Sequence, residues 1–401
     1  MDDVAQHLQL RGGQRVEPRL GDATEAQRPG QVVEGRGEEF GAGAPALQLT
    51  LTSMVAGLAV GQLVLGPLSD RYGRRLPLLA GAALACATSA LCALAPSIPA
   101  LTGLRFLQGL SVAAGVVISR AVVSDLADGA AAARMFGILM ALTGIGPIVA
   151  PPAGALISEL YGWRGVYVAL AVLAAVSFLG VLLAVPESLP RRRRQAGGVA
   201  GSLRSARRML SDRGYLGYTL AFTFAFGALF CYISASQFVL QNVLGLGVGE
   251  ASLVFGGGAV IVTLSASANA VLVARVSAER LLAAGLTGLV VSTAAQAVIT
   301  VAGGLSLPVA LTAVVCFSVS LGLVFANATA LAVGRVPYAA GAGSAVLGTL
   351  QHALAAVVAP LVGLGGDHDA VAMAVGMALM SALALAALGL ARSRGHDLVP
   401  V

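Results

Sequence analysis

Runs of about 20 apolar residues recur from residue 47 to residue 391, and no other feature limits the possible folds as severely. They lie near 47–68, 76–97, 99–120, 134–158, 165–186, 215–242, 251–273, 281–303, 307–333, 340–364 and 369–391, eleven in all. A segment in lipid must satisfy its own backbone hydrogen bonds, so runs of this length predict membrane-spanning helices. Mean hydropathy is +0.86 and only 11% of the residues are charged, too little polar surface for a soluble chain of 401 residues. The expected fold class is therefore an all-α integral membrane protein. Its 51 glycines suit helices that pack backbone to backbone in lipid.

The formal net charge is +6, and every basic residue apart from His is Arg. A basic balance can point to nucleic acid, but here the arginines sit between the apolar runs. Arg71, Arg74 and Arg75 follow the first run, and Arg120 and Arg134 bracket the loop after the third. Arg191 to Arg194, with Arg204, Arg207, Arg208 and Arg213, follow the fifth; Arg275 and Arg280 follow the seventh, Arg335 the ninth, and Arg392 and Arg394 the last. Every second loop is basic, which places those loops in the cytoplasm and argues against a nucleic-acid partner. Cys86, Cys92, Cys231 and Cys316 fall inside apolar runs with neither metal nor disulfide spacing, so no metal site is expected.

The basic stretch 187–214 divides the chain into bundles at 47–186 and 215–391, with a tail at 392–401. Five runs precede the divide and six follow it. Transporters are commonly two halves of equal span number. Residues 1–46 hold five Arg and eight Asp or Glu, with no apolar run and no signal-peptide core, and read as a polar disordered segment. The expectation is a first helix lost through a misplaced start, a frameshift or a truncation; a tolerated extension is the alternative.

Four motifs carry chemistry. Gly66-Pro67-Leu68-Ser69-Asp70-Arg71-Tyr72-Gly73-Arg74-Arg75 fills the loop after the first run. Gly66 would permit close helix contact and Gly73 a tight turn, while Asp70 can meet an Arg or a helix N-terminus. Arg105, in Arg105-Phe106-Leu107-Gln108-Gly109, is the one charged residue deep within a run, and an intramembrane Arg is a functional candidate. Arg120 and Asp125 end that helix, where they can pair with the Asp70 loop. Gly144, Gly146, Pro147, Pro151 and Gly154 crowd the fourth run, where Gly and Pro should bend the helix. Gly162-Trp163-Arg164 precedes the fifth and suits an interfacial anchor.

Together these motifs resemble those of the major facilitator superfamily. The first is similar to its cytoplasmic loop motif, the second to R-x-x-Q-G, and the third to the kink motif of its exporters, with Ala155 where a second Gly is usual. Gln48 to Thr52, Tyr232 to Gln241 and Ala340 to Gly348 resemble one branch, the bicyclomycin/chloramphenicol resistance (Bcr/CflA) type. The resemblance spans roughly residues 47–391. It implies two bundles of an expected twelve spans, a conformational latch at Gly66, Asp70, Arg71, Gly73, Arg74 and Arg75, and proton coupling near Arg105 and Gln108. It also implies an acidic residue on the first helix, which has no counterpart in the apolar runs.

Tyr232, Ser236, Gln237, Phe238, Gln241, Asn327 and Gln351 lie within runs and can line a cavity or join helices. Phe222, Phe224 and Phe226 can add an aromatic wall. His352, which departs from the branch, can carry a proton near neutral pH. The expected function is secondary active transport: proton-coupled multidrug efflux across the cytoplasmic membrane by alternating access. The partners would be small amphiphilic drugs and the bilayer, the energy source the proton gradient without a cofactor, and the chain a monomer. Alternatives are export of a sugar or amino acid, or a transport-dead membrane protein. No nucleophile–base pair, metal cluster or G-x-x-x-x-G-K-[ST] run suggests an enzyme or an ATP-driven pump.

Overall fold

The computed structural model describes residues 44–126, 129–194, 207, 209–336, 340–363 and 370–392. Expectations that fall on residues 1–43, including the lost first helix, lie outside them. The described residues are helical, with no strand among them. The elements are α1 (Ala44–Tyr72), α2 (Arg75–Ala93), α3 (Ile98–Leu126), α4 (Gly129–Ala184), α5 (Arg213–Phe238), α6 (Val248–Leu272), α7 (Ala278–Val301), α8 (Leu307–Arg335), α9 (Ala340–Gly363) and α10 (Ala370–Arg392). All ten are long and apolar enough to cross a membrane.

Local chemistry sets several boundaries. Gly73, at φ 98, ends α1 in a conformation that favours glycine. Asp212 caps α5 by accepting the Tyr215 amide N–H at 2.6 Å. The Glu250 carboxylate accepts the Gly247 amide N–H at 3.0 Å at the start of α6. A π turn, Val239–Val243, extends α5.

α4 reconciles ten helices with eleven expected spans. Its 56 residues would measure about 84 Å if straight, against a hydrocarbon core of about 30 Å. The chain breaks at Gly162, with φ 67 and ψ −179, so both spans expected at 134–158 and 165–186 lie within this element. Arg164 fixes the return by donating to the carbonyls of Ala93 (3.0 Å) and Ala95 (3.3 Å), while Arg75 at the other end of α2 donates to Leu182 (2.9 Å). The segment after Gly162 thus runs antiparallel to α2. The bend expected from the Gly/Pro run is located elsewhere: the backbone stays helical through 144–154, and the break comes at Gly162. Gly146 and Gly154 have open space where a Cβ would point. Gly144 is also helical.

α3 packs on α1 and α2, and α4 on α2; in the second half α5 packs on α8, α9 and α10, with α8 also on α6 and α7. The halves meet where α1 lies on α9 and α4 on α6. In lipid there is little hydrophobic drive between helices, so close contact of small residues must hold them. Gly57 and Gly61 of α1 supply it: a Cβ on Gly57 would strike the Phe106 carbonyl, and one on Gly109 of α3 would strike that of Met54. Gly66 does not share this role, since a Cβ there would stand 3.5 Å from Val117, an ordinary contact. Large side chains such as Leu183 and Leu253 point outward, as lipid-facing positions should.

Candidate functional site

At the cytoplasmic end of the first half, Arg74 gathers three chain segments. Its guanidinium donates to Asp125 of α3 at 2.9 Å, to Ser69 at 2.7 Å, and to Asp70 one turn earlier. Its amide N–H donates to Glu187, beyond α4, at 2.8 Å. Ser188 donates to the same Asp125 oxygen at 3.1 Å, and Arg194 pairs with Glu187 at 3.5 Å. Burial alone would lower the Arg74 pKa, but Asp125 and Asp70 outweigh it and hold it above its ordinary value. Burial would raise Glu187, but the amides of Arg74, Leu189 and Arg75 and the charge of Arg194 hold it below 4.5. Arg71 is exposed and lies over the Tyr72 ring at 5.4 Å.

Asp125 therefore meets the Asp70 loop through Arg74. Arg120 does not join it there: its guanidinium reaches Ser344 of α9, in the second half, at 3.4 Å. One helical turn and a residue separate Arg120 from Asp125, enough to turn them onto different neighbours.

Arg105 stands half-buried on α3. It donates to Gln108 at 2.6 Å, and Gln108 donates to Ser89 of α2 at 2.7 Å. The guanidinium also lies 5.8 Å from the Tyr167 ring, on the returning limb of α4. Its Nε is buried with no hydrogen-bond partner.

Between the halves, α1, α5 and α9 form a mixed aromatic and polar surface. His352 Nδ1 lies 2.7 Å from the Gly348 carbonyl oxygen, and the amides of Gln62 (α1) and Gln351 lie 3.3 Å from the same nitrogen. A neutral ring that meets a carbonyl at this distance carries its proton on Nδ1 and donates it. Phe226 of α5 meets the imidazole edge-on, with centroids 5.3 Å apart. Phe230 and Phe325 (α8) extend the aromatic series to either side of Phe226, at 5.0 and 6.1 Å. Val55, Phe230 and Ala355 close the surface toward the non-cytoplasmic side.

The other cavity candidates lie elsewhere. Tyr232 is inside the second bundle, stacked on Phe255 of α6 at 5.6 Å and 5.9 Å from Phe317 of α8. Ser236 is buried one turn along. Asn327 joins helices: it donates to Asn269 of α6 at 2.7 Å, deep in the bundle. Their neighbours are side chains of the same half, so these three serve packing. Gln241 donates to Gln237 at 3.0 Å where α5 becomes a π turn, beside half-buried Phe238. Pro151 is half-buried in α4. The sequence reading overlooked Gln62, Ser344 and Glu187; a lone Gln beside Gly61 in an apolar run was the available sign.

The Major Facilitator Superfamily model matches residues 32–360. The MFS-type transporter YdgK of Bacillus subtilis (strain 168) is 32% identical over 364 residues, 89% of each chain. The bicyclomycin resistance protein homolog of Haemophilus influenzae is 26% identical over 325 residues, 79% of each chain. The multidrug transporter MdfA of Yersinia pestis is 32% identical over 202 residues, 50% of this chain and 49% of that one. The crystal structure of the human organic anion transporter MFSD10 (TETRAN) shares the fold, with TM-score 0.64 and 20% identity over 86% of this chain and 83% of that one. With a family model covering most of its length, this chain belongs to the major facilitator superfamily, as a multi-pass membrane transporter and not an enzyme.

Proposed function

We propose that the chain exports small amphiphilic or apolar drug-like compounds across the cytoplasmic membrane, driven by inward movement of protons. The observation that carries this reading is the aromatic surface of Phe226, Phe230 and Phe325 beside His352, at the contact between halves. Aromatic faces with a few polar groups suit apolar ligands of varied shape. The names of two relatives, a bicyclomycin resistance protein homolog and a multidrug transporter, favour the same class of substrate.

Alternating access requires contacts between the halves that form in one state and break in another. Arg120–Ser344 and Gln62–His352 are of that kind. In this reading the Arg74 cluster is the latch that steadies the cytoplasmic side of the first half, and Arg105 with Gln108 tunes coupling.

The test is accumulation of chloramphenicol and of a fluorescent cationic dye in a host stripped of its own efflux pumps, with and without a protonophore. Lower accumulation that the protonophore abolishes is expected. Lower accumulation that survives it would overturn proton drive, and unchanged accumulation of both compounds would overturn the substrate class.

A further inference from the structure

We propose that protonation of His352 breaks its contact with Gln62 and opens the surface between the two bundles, so that His352 carries the coupling proton. This rests on the alternating-access reading above.

The environment of the ring supports a switch. His352 is the one histidine among the described residues, and it sits mid-helix on α9, facing α1 of the opposite half. In the neutral form Nδ1–H donates to the Gly348 carbonyl and Gln62 packs over both. Gln62 fits there because position 348 is Gly: a Cβ would stand 2.7 Å from the Gln62 side-chain oxygen. The closed contact is thus shaped for a neutral ring.

A second proton, taken from water onto the Nε2 lone pair, makes the ring a cation. Nothing nearby offsets that charge. α1 presents the Gln62 amide and α5 the Phe226 edge, while Tyr215 of α5 is bound to the Gly343 carbonyl. α3 presents Arg120, whose like charge acts on the ring. The acidic residues of the described α1 and α3 are Asp70 and Asp125, at their cytoplasmic ends; α5, α8, α9 and α10 contain none. A buried cation without a counter-ion is strongly disfavoured. The state that admits water to the ring is favoured instead. Release of the proton to water restores the neutral ring and lets the halves close; no other reactant is needed.

The experiment uses protons alone as the probe. Spin labels are placed at the outer ends of α1 and α9, by Leu49→Cys and Leu361→Cys, after the four native cysteines are replaced. Both leucines are exposed, at 50% and 59%. Distances are read by pulsed electron resonance in lipid nanodiscs from pH 5.5 to 8.5. The expected result is a population at longer distance that grows as pH falls, by up to ~tenfold per unit for one coupled proton. His352→Gln should abolish the response and stay in the alkaline state. Gln62→Ala, which weakens only the closed state, should keep the response and move its midpoint to higher pH. A pH-independent parent, a His352→Gln variant that still titrates, or an unmoved Gln62→Ala midpoint would each overturn the proposal. If the response is as expected but the accumulation assay fails, the switch stands and the drug-export reading falls.

Discussion

Arg74 and Asp125 stand 2.9 Å apart, joining the short loop after α1 to the cytoplasmic end of α3, 51 residues later. Both side chains are largely buried, at 10% and 19% exposure. Asp125→Asn leaves the Arg74 charge half-compensated and should cost about 1–3 kcal/mol, as charged hydrogen bonds do. Arg74→Lys should not rescue it, because an ammonium cannot reach Ser69, Asp70 and Asp125 as a planar fork does. Thermal unfolding in detergent measures both; wild-type midpoints would show that the cluster contributes no stability.

The same cluster has a defined pH window. Glu187 titrates below its ordinary value in the folded protein, so its contribution is complete above about pH 4.5 and lost as pH falls through the lower, folded value. Arg74 titrates above its ordinary value, so its contribution is complete below 12.5 and lost only above it. The cluster is therefore constant across neutral pH. Glu187→Gln should leave the spin-label titration between pH 5.5 and 8.5 unchanged, and a shifted midpoint would assign that titration to the cluster.

Gly57 and Gly115 make a matched pair. Gly57→Ala drives a Cβ into the Phe106 carbonyl, where backbone must move, and should cost about 1–3 kcal/mol by overpacking. Gly115→Ala meets open space and should be neutral or slightly stabilising, since Ala favours helix. Equal melting temperatures for the two variants would contradict the close approach of α1 and α3.

Gly162→Ala puts a side chain at φ 67 and ψ −179, a region that glycine alone occupies readily. The expected cost is about 1–3 kcal/mol. Limited proteolysis and thermal unfolding would register it, and an unaltered protein would mean that the reversal lies elsewhere in α4.

Asn327→Leu leaves the Asn269 amide buried without its partner and should cost about 1–2 kcal/mol. The double variant Asn269→Leu, Asn327→Leu should recover part of that loss, because neither polar group then needs satisfying. A double-mutant cycle showing strict additivity would rule out the coupling.

The sequence by itself determined the fold class, the positions of the spans and their orientation. Burial in lipid requires long apolar runs, and loop arginines report the cytoplasmic side, so both are properties of consecutive residues. Gly73 was legible for the same reason: a tight turn between two runs needs a residue that tolerates positive φ. The tertiary structure decided which polar groups meet. Asp125 goes to Arg74 and Arg120 to Ser344, 224 positions away, because the rotation of α3 turns them toward different halves. Tyr232, Ser236 and Asn327 face their own bundle, whereas Gln62 crosses to His352. An apolar helix in lipid carries no polar face to mark its inward side, so such pairings depend on helix rotation and packing, which are fixed only when the helices assemble.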